Sequence, residues 1–303
     1  MLSLLPLLHG DASGPFWAAW SWNPPVLVLL LSAGLVYGAA LRYLRQRERP
    51  LPPAWQPIAF YAGLASAALA LMGPLDLYND ELLTMHMLQH LVLIQVTAPL
   101  ILLGRPVQLV LRGLPPERLG AVLRVALRPQ WVRTALTVLT APLTVTLLAN
   151  AALVFWHFPR FYEAALYSPT VHDLEHLSFF VTALLFWWPI IDPVPRHHKL
   201  PALWAIAAIF ATLVVSMSIG AIITLADRVI YPFYAGVPMP WGMAALTDQQ
   251  VAGLIMWVGG GFLYMGAILA LLVRWLREEE RRQETLAERR ARQLAEVRSA
   301  VPL

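Results

Sequence analysis

The sequence predicts an all-α membrane protein that forms a seven-transmembrane-helix bundle. Hydrophobic residues make up 58% of the 303 residues and charged residues only 13%. Seven apolar runs are each long enough to cross a bilayer at ~1.5 Å per helical residue. Because lone strands cannot satisfy their backbone hydrogen bonds in lipid, all seven runs are predicted to be helices. The composition therefore excludes a soluble globular domain.

The predicted spans form a single polytopic domain over residues 1–276. They cover about residues 25–44, 55–72, 82–103, 134–156, 171–191, 200–226 and 250–276. Pro99 and Pro142 lie inside spans and are expected to bend their helices. A helix in the inner headgroup region is expected over 116–128, because its apolar residues share a face opposite arginines. Residues 277–303 are predicted to form a charged helical tail in the cytoplasm.

The distribution of cations predicts how the bundle is oriented. Of the 22 Lys and Arg residues, all except Arg160 and Arg228 fall on one side of the predicted bundle. The positive-inside rule then places the N-terminus in the periplasm and the C-terminus in the cytoplasm. The cations lie in short loops that border the spans at the surface of the lipid bilayer, so they are topology signals. No nucleic-acid partner is expected. An outer aromatic belt is predicted from Trp17, Trp20, Trp22, Tyr231, Tyr234 and Trp241.

Five of the eight histidines fall within about two helical turns of the outer end of the predicted bundle. His86 and His90 are four residues apart in the third span, and His172 and His176 have the same spacing in the fifth. Each pair therefore lies on one helix face. His157 ends the fourth span. Paired imidazoles on two helices at membrane depth predict a shared metal or heme.

Residue types favour copper as the metal. The chain has no cysteine, so ligands must come from His, Met, carboxylates or the backbone. Thioether and imidazole both suit copper. Methionines on the same side as the histidines are Met72, Met85, Met87, Met239 and Met243.

Other chemistries remain as alternatives. A membrane electron carrier with heme b could use histidines on different helices, although all five crowd into one leaflet. A copper transporter would need polar steps through the inner leaflet, where the third and fifth spans offer few. HDLEH at 172–176 fits a zinc-protease pattern but lacks a convincing acidic third ligand. Lys199, the sole lysine, lies at the cytoplasmic end of the sixth span, which leaves a retinal Schiff base nearly excluded.

Several motifs together resemble the polytopic CtaG-type cytochrome c oxidase assembly factors associated with caa-type oxidases. In chain order they are MHMLQHLVL, GRPVQLVLR, FWHFPRFYEAAL, VHDLEHLSFFVTALLFWWPI and DQQVAGLIMWVGGG. The resemblance implies a multi-pass protein of the bacterial inner membrane that is not an enzyme and that serves a heme-copper oxidase. Copper insertion is the implied step, with oxidase subunits and periplasmic copper chaperones as the implied partners.

The motif positions of this family fall on the same five histidines. The complete set is His86, His90, His157, His172, Glu175, His176, Asp248 and Gln249. The four paired histidines are interpreted as holding copper, with His157 as an alternate or transfer ligand and Glu175 tuning a neighbouring imidazole. Asp248 and Gln249 are further candidates for cofactor binding. Thr247 and Gln250 fit a capping box, so part of this motif is expected to be structural.

Overall fold

A computed structural model describes residues 20–113, 129–191, 200–238 and 242–300, and no strand occurs among them. Six helices in these ranges are long and apolar enough to cross a membrane, and a bent pair would make a seventh. The all-α membrane fold is therefore confirmed, while the orientation of the termini stays a prediction. Several features of the sequence analysis lie outside the described residues, namely the helix over 116–128, Trp17, Lys199, Met239 and Trp241.

The helices begin and end near the predicted boundaries. The first three spans are α1 (Pro24–Gln46), α2 (Trp55–Met72) with the short α3 (Pro74–Leu77), and α4 (Leu83–Leu91) continued by a π-helical segment (Val92–Thr97) and α5 (Ala98–Leu103). Then follow α6 (Pro106–Gly113), α7 (Gln130–Leu139), α8 (Pro142–His157) and α9 (Pro159–Tyr167). The fifth and sixth spans are α10 (Pro169–Ile191) and α11 (Ala202–Leu225). A short 3-10 helix (Pro232–Ala235) precedes the seventh span, which comprises α12 (Ala245–Leu254), a second π-helical segment (Ile255–Gly259) and α13 (Gly260–Ala300).

The fourth span, predicted over 134–156 with a bend at Pro142, is broken into two helices. The axes of α7 and α8 are inclined by 66°. Between them Ala141 has extended backbone, with φ −65° and ψ 135°. A proline ring disfavours helical backbone at the residue before it. Pro142 therefore starts a new helix instead of bending an existing one.

The π-helical segment of the third span ends two residues before Pro99. Proline has no N–H, so the carbonyl of Ile94, five residues earlier, cannot form the π-helical hydrogen bond to it. That carbonyl accepts the indole N–H of Trp187 at 2.9 Å instead. Trp187 thereby ties the fifth span to the third below the level of the histidines.

The start of the seventh span corrects a second prediction. Helix α12 begins at Ala245, ahead of Thr247, and no side chain caps it. The capping box predicted for Thr247 and Gln250 is therefore wrong, because both residues lie inside the helix. Gln250 donates its side-chain N–H to the carbonyl of Ala226 at 3.3 Å. Helix α13 continues the seventh span without a break as far as Ala300.

Glycines allow the sixth and seventh spans to cross in close contact. A Cβ on Gly220 would lie 2.7 Å from the backbone nitrogen of Trp257. A Cβ on Gly253 would lie 2.6 Å from the backbone nitrogen of Thr224. Neither position can hold a side chain unless the helices separate. This contact fixes the depth of α12 in the bundle.

Gly220→Ala is expected to lower the thermal unfolding temperature of the purified protein, because overpacking costs ~1–3 kcal/mol. The matched control is Gly266→Ala in the same pair of spans, where an added Cβ meets nothing within 4 Å. The control should be neutral or slightly stabilising, since alanine favours helices. Equal unfolding temperatures for both variants, measured in one detergent, would contradict the proposed contact.

Candidate metal centre

The structure brings both histidine pairs together with Glu175. α4 supplies His86 and His90, and α10 supplies the other three side chains. The ring centroids of His86 and His172 are 5.1 Å apart, as are those of His90 and His176. Two groups of potential ligand atoms each lie within 4.8 Å of one another: His86 with His172 and His176, and His86 with His90 and Glu175. His86 belongs to both groups, so the two form one centre.

The centre is buried in the bundle. His86 and Glu175 are both 0% exposed. The Glu175 carboxylate lies between two imidazoles, with Oε2 3.7 Å from His86 Nε2 and Oε1 3.8 Å from His90 Nε2. Glu175 is thus placed where it can itself be a ligand, beyond the tuning role expected from the sequence.

Most of the potential ligand atoms lack hydrogen-bond partners. Among the described residues, none is found for either Glu175 oxygen or for Nε2 of His86, His90, His172 and His176. A buried polar atom without a partner costs ~1–3 kcal/mol. Their concentration at one point therefore fits a site that binds a metal ion, and imidazole and carboxylate are suitable ligands for one.

A tyrosine orients His86 for this role. Tyr234 donates its hydroxyl proton to the carbonyl of Asn79 at 2.9 Å. The Tyr234 oxygen lies 3.4 Å from His86 Nδ1 and can then only accept a proton from it. His86 Nδ1 is therefore the protonated nitrogen, and the lone pair of Nε2 faces the centre. Such outer hydrogen bonds are typical of histidines that bind metals.

His157 lies beside the centre but outside both ligand groups. Its Nδ1 donates to the carbonyl of Leu153 at 2.7 Å, which leaves Nε2 buried without a partner. The ring of Phe179 contacts the rings of both His157 and His90, with centroid distances of 6.1 and 4.7 Å. Of the five predicted histidines, four therefore meet in one centre and the fifth lies next to it.

Three tyrosines form an aromatic cover over the centre. The rings of Tyr162 and Tyr231 lie 4.2 Å apart, and that of Tyr162 lies 5.1 Å from His86. Tyr231 donates its hydroxyl to the carbonyl of His157 at 3.0 Å. Burial raises the pKa of Tyr162, Tyr231 and Tyr234 above the ordinary value, so all three stay protonated donors.

The cover corrects the predicted aromatic belt. Tyr231 and Tyr234 are each only 1% exposed and face the interior, so they are not interfacial residues. Sequence analysis also missed Tyr162, although the spacing WH-x-P-x-x-Y contained a signal for it. In the chain, Tyr162 follows the proline that starts α9, and this helix folds it back over His86.

Asp248 and Gln249 are not brought into the centre. The Asp248 carboxylate accepts the backbone N–H groups of Leu83 at 2.7 Å and Thr84 at 3.2 Å, and so caps α4. The Gln249 side chain accepts the N–H of Ile230 at 2.6 Å and donates to the carbonyl of Arg228 at 3.1 Å. Both side chains hold backbone that carries parts of the centre.

A cavity of about 210 Å³ adjoins the centre at the edge formed by His172 and His176. It lies between α1, α2 and α10 and is mostly apolar. Polar side chains that line it are Asn23, Asp76 and Asp173. The cavity gives the centre a lateral access route between helices.

Comparisons with known proteins place these residues in a described family. The family model "Cytochrome c oxidase caa3 assembly factor (Caa3_CtaG)" matches residues 35–278. Uncharacterized proteins of Mycobacterium bovis and Mycobacterium tuberculosis are each 29% identical over 267 residues, and one of Mycobacterium leprae is 24% identical over 269. The matches cover 84%, 84% and 88% of this chain but 39%, 39% and 41% of the relatives, so the chain spans about two fifths of their length. No solved structure matches the chain.

Asp248→Asn is expected to lower the thermal unfolding temperature, because an amide nitrogen would replace one of the two oxygens that accept N–H groups at the start of α4. Hydrogen bonds to a charged group contribute ~1.5–3 kcal/mol. Asp227→Asn is the matched control, since Asp227 is exposed in the segment before the seventh span. Equal losses in both variants would show that charge alone, and not capping, stabilises the protein.

Proposed function

The chain belongs to the cytochrome c oxidase caa3 assembly factor family, and from this premise we propose that it binds copper and passes it to a heme-copper oxidase under assembly. The family supports an assembly role and not a catalytic one. The observation that carries the copper step is the convergence of four imidazoles and Glu175, whose ligand atoms are buried without partners. Copper is cargo in this proposal, bound and then released.

The oxidase proposed as the recipient favours copper over other metals. Imidazole ligands suit zinc, copper, iron and nickel alike, so the histidines alone do not choose. An oxidase that contains copper needs that metal delivered during assembly. The lack of cysteine leaves a site of imidazole and carboxylate, which holds an ion without thiolate bonds.

Shared ligands suit an ion that must later leave. His86 belongs to both groups of ligand atoms, so an ion bound by one group lies next to the ligands of the other. Ligands can then be exchanged one at a time without exposing a bare ion. We propose that His157 acts as a transfer ligand beside this pair of groups.

The size of the cavity beside the centre supports copper over heme. A drug-sized or cofactor pocket occupies ~300 Å³ or more. The cavity at the edge of the centre is about 210 Å³, and the imidazole rings of α4 and α10 are already 5.1 Å apart. A zinc-protease role also finds little support, because a general base must reach water and Glu175 is 0% exposed.

Hand-over to a partner beside the bundle is favoured over transport across the membrane. We propose that the protein lies in the bacterial inner membrane. In the predicted orientation the centre then faces the periplasm, where copper chaperones can supply the metal. Below the centre, the inner half of the bundle contains an apolar core that includes Phe186, Trp187, Ile209 and Leu213. The lateral cavity instead leads sideways between helices, toward the position that an oxidase subunit can occupy in the bilayer.

The double variant His86→Ala, His176→Ala is expected to lose copper, because each group of ligand atoms then keeps only two members at most. Copper would be measured by elemental analysis of protein purified from cells grown with added copper. His197→Ala, which changes a histidine in the sequence between the fifth and sixth spans, is the control and should bind as much copper as the wild type. Stoichiometric heme with a Soret band that disappears in the double variant would establish the electron carrier instead.

The same variants decide the assembly role when expressed in a deletion strain. Wild type and His197→Ala should restore copper content and activity of the oxidase, whereas the double variant should leave oxidase polypeptides poorly metallated. If deletion blocks copper uptake into the cytoplasm while oxidase metallation persists, the protein is a transporter.

Leu177→Trp is expected to slow copper loading without changing the final amount bound, because Leu177 lines the lateral cavity and ligates nothing. Leu174→Trp is a matched control, since both leucines are exposed on α10 and only Leu177 lines the cavity. Loading would be followed by stopped-flow transfer from a coloured copper chelator. Equal rates for both variants would mean that copper enters by another route.

A further inference from the structure

A second, smaller cavity lies next to the centre, at His90. Its volume is about 30 Å³, comparable with the space of one water molecule or ion. Side chains that line it include His90, His157, Met87, Met256 and Gln95. It therefore joins His157, which the four-histidine centre leaves out, to two methionines and one imidazole of that centre.

Three buried polar atoms of the cavity-lining residues have no hydrogen-bond partner among the described residues. They are His90 Nδ1, His157 Nε2 and Gln95 Oε1. Because His157 Nδ1 donates to the carbonyl of Leu153, His157 Nε2 carries a lone pair. The Gln95 carbonyl oxygen is likewise an acceptor. The lone pairs of His157 Nε2 and Gln95 Oε1 have no partner, and two thioethers line the same cavity. This set of groups suits a bound cation better than an empty apolar cavity.

The backbone around this cavity is built to hold these side chains. Gln95 lies in the π-helical segment of the third span, and Met256 lies in that of the seventh. π-helical segments are rare and frequently occur at functional sites. Gly260 follows the second segment, and a Cβ there would lie 3.0 Å from Gln95 Nε2. Both helices thus depart from regular α-helical geometry at the cavity, and the seventh span has a glycine there in place of a residue with a side chain.

We propose that this cavity is a second copper position, selective for Cu(I), and that His90 links it to the four-histidine centre. The inference rests on the proposed function and names its transfer step. Soft thioethers select Cu(I), and no carboxylate lines this cavity, unlike the first centre with Glu175. His90 presents Nε2 to Glu175 at 3.8 Å, while its Nδ1 is free for the second position. An ion therefore moves from a carboxylate-containing site to a thioether-containing one without leaving the bundle.

The test measures anaerobic Cu(I) binding to the full chain in lipid nanodiscs, in competition with a coloured Cu(I) chelator. Wild type should bind two Cu(I), and X-ray absorption should show sulfur among the ligands. Met87→Leu with Met256→Leu should bind one and lose the sulfur signal, because leucine keeps volume but not the thioether. Met265→Leu, a half-exposed methionine of the seventh span, is the control and should behave as wild type.

The two proposals fail in different ways. Suppose that the wild type binds one Cu(I) without sulfur ligation and that His172→Ala loses it. This result would support copper binding at the four-histidine centre and would show that the second cavity holds only water. No copper in any form of the protein would overturn both. The X-ray absorption spectrum of the copper-loaded wild type tests for sulfur ligation by itself. The inference can therefore be refuted even if the double methionine variant does not fold.

Discussion

The carboxylate of Asp248 determines where the third span begins, and the centre depends on that position. Its two oxygens accept the N–H groups of Leu83 and Thr84, which otherwise have no partner within the helix. About one turn and about two turns further on, the same helix carries His86 and His90. The next residue of the seventh span, Gln249, holds the segment that leads to Tyr231 and Tyr234. Two adjacent side chains therefore place both the ligands and the groups that orient them.

Burial decides how strongly this arrangement can bind an ion. Charges and lone pairs interact more strongly in a medium of low effective dielectric constant, and leaving them unpaired there is correspondingly costly. The aromatic cover of Tyr162, Tyr231 and Tyr234 keeps water from one side, and the inner apolar core keeps it from the other. An ion bound in such a site would leave slowly unless its ligands could be exchanged. Under the proposed function, the overlapping groups that share His86 would allow such exchange.

The meeting of the paired histidines could be predicted, because hydropathy gives the depth of each residue and a spacing of four gives its helix face. The roles of Asp248 and Gln249 could not, since their partners lie elsewhere in the chain and are backbone groups that carry no sequence pattern. The capping box failed because a local motif does not show that a helix already began at Ala245. The break at Ala141 was expected only as a bend, since a proline within an apolar run permits either outcome.

The two π-helical segments divide the third and seventh spans into upper and lower parts with separate helical registers. A π-helical turn holds one residue more than an α-helical turn, so removing one residue from Ile255–Gly259 would restore an α-helix and leave the residues after it facing the same way. Tyr264 and Leu271 would keep their places in the inner core, and Asp248 would keep its place at the start of α4. A deletion in the regular α-helical part of this span has no such extra residue to remove and would rotate one half against the other by ~100°. An alignment gap within 255–259 would therefore mark a relative that lacks the π-helical segment and keeps both the inner core and the upper half.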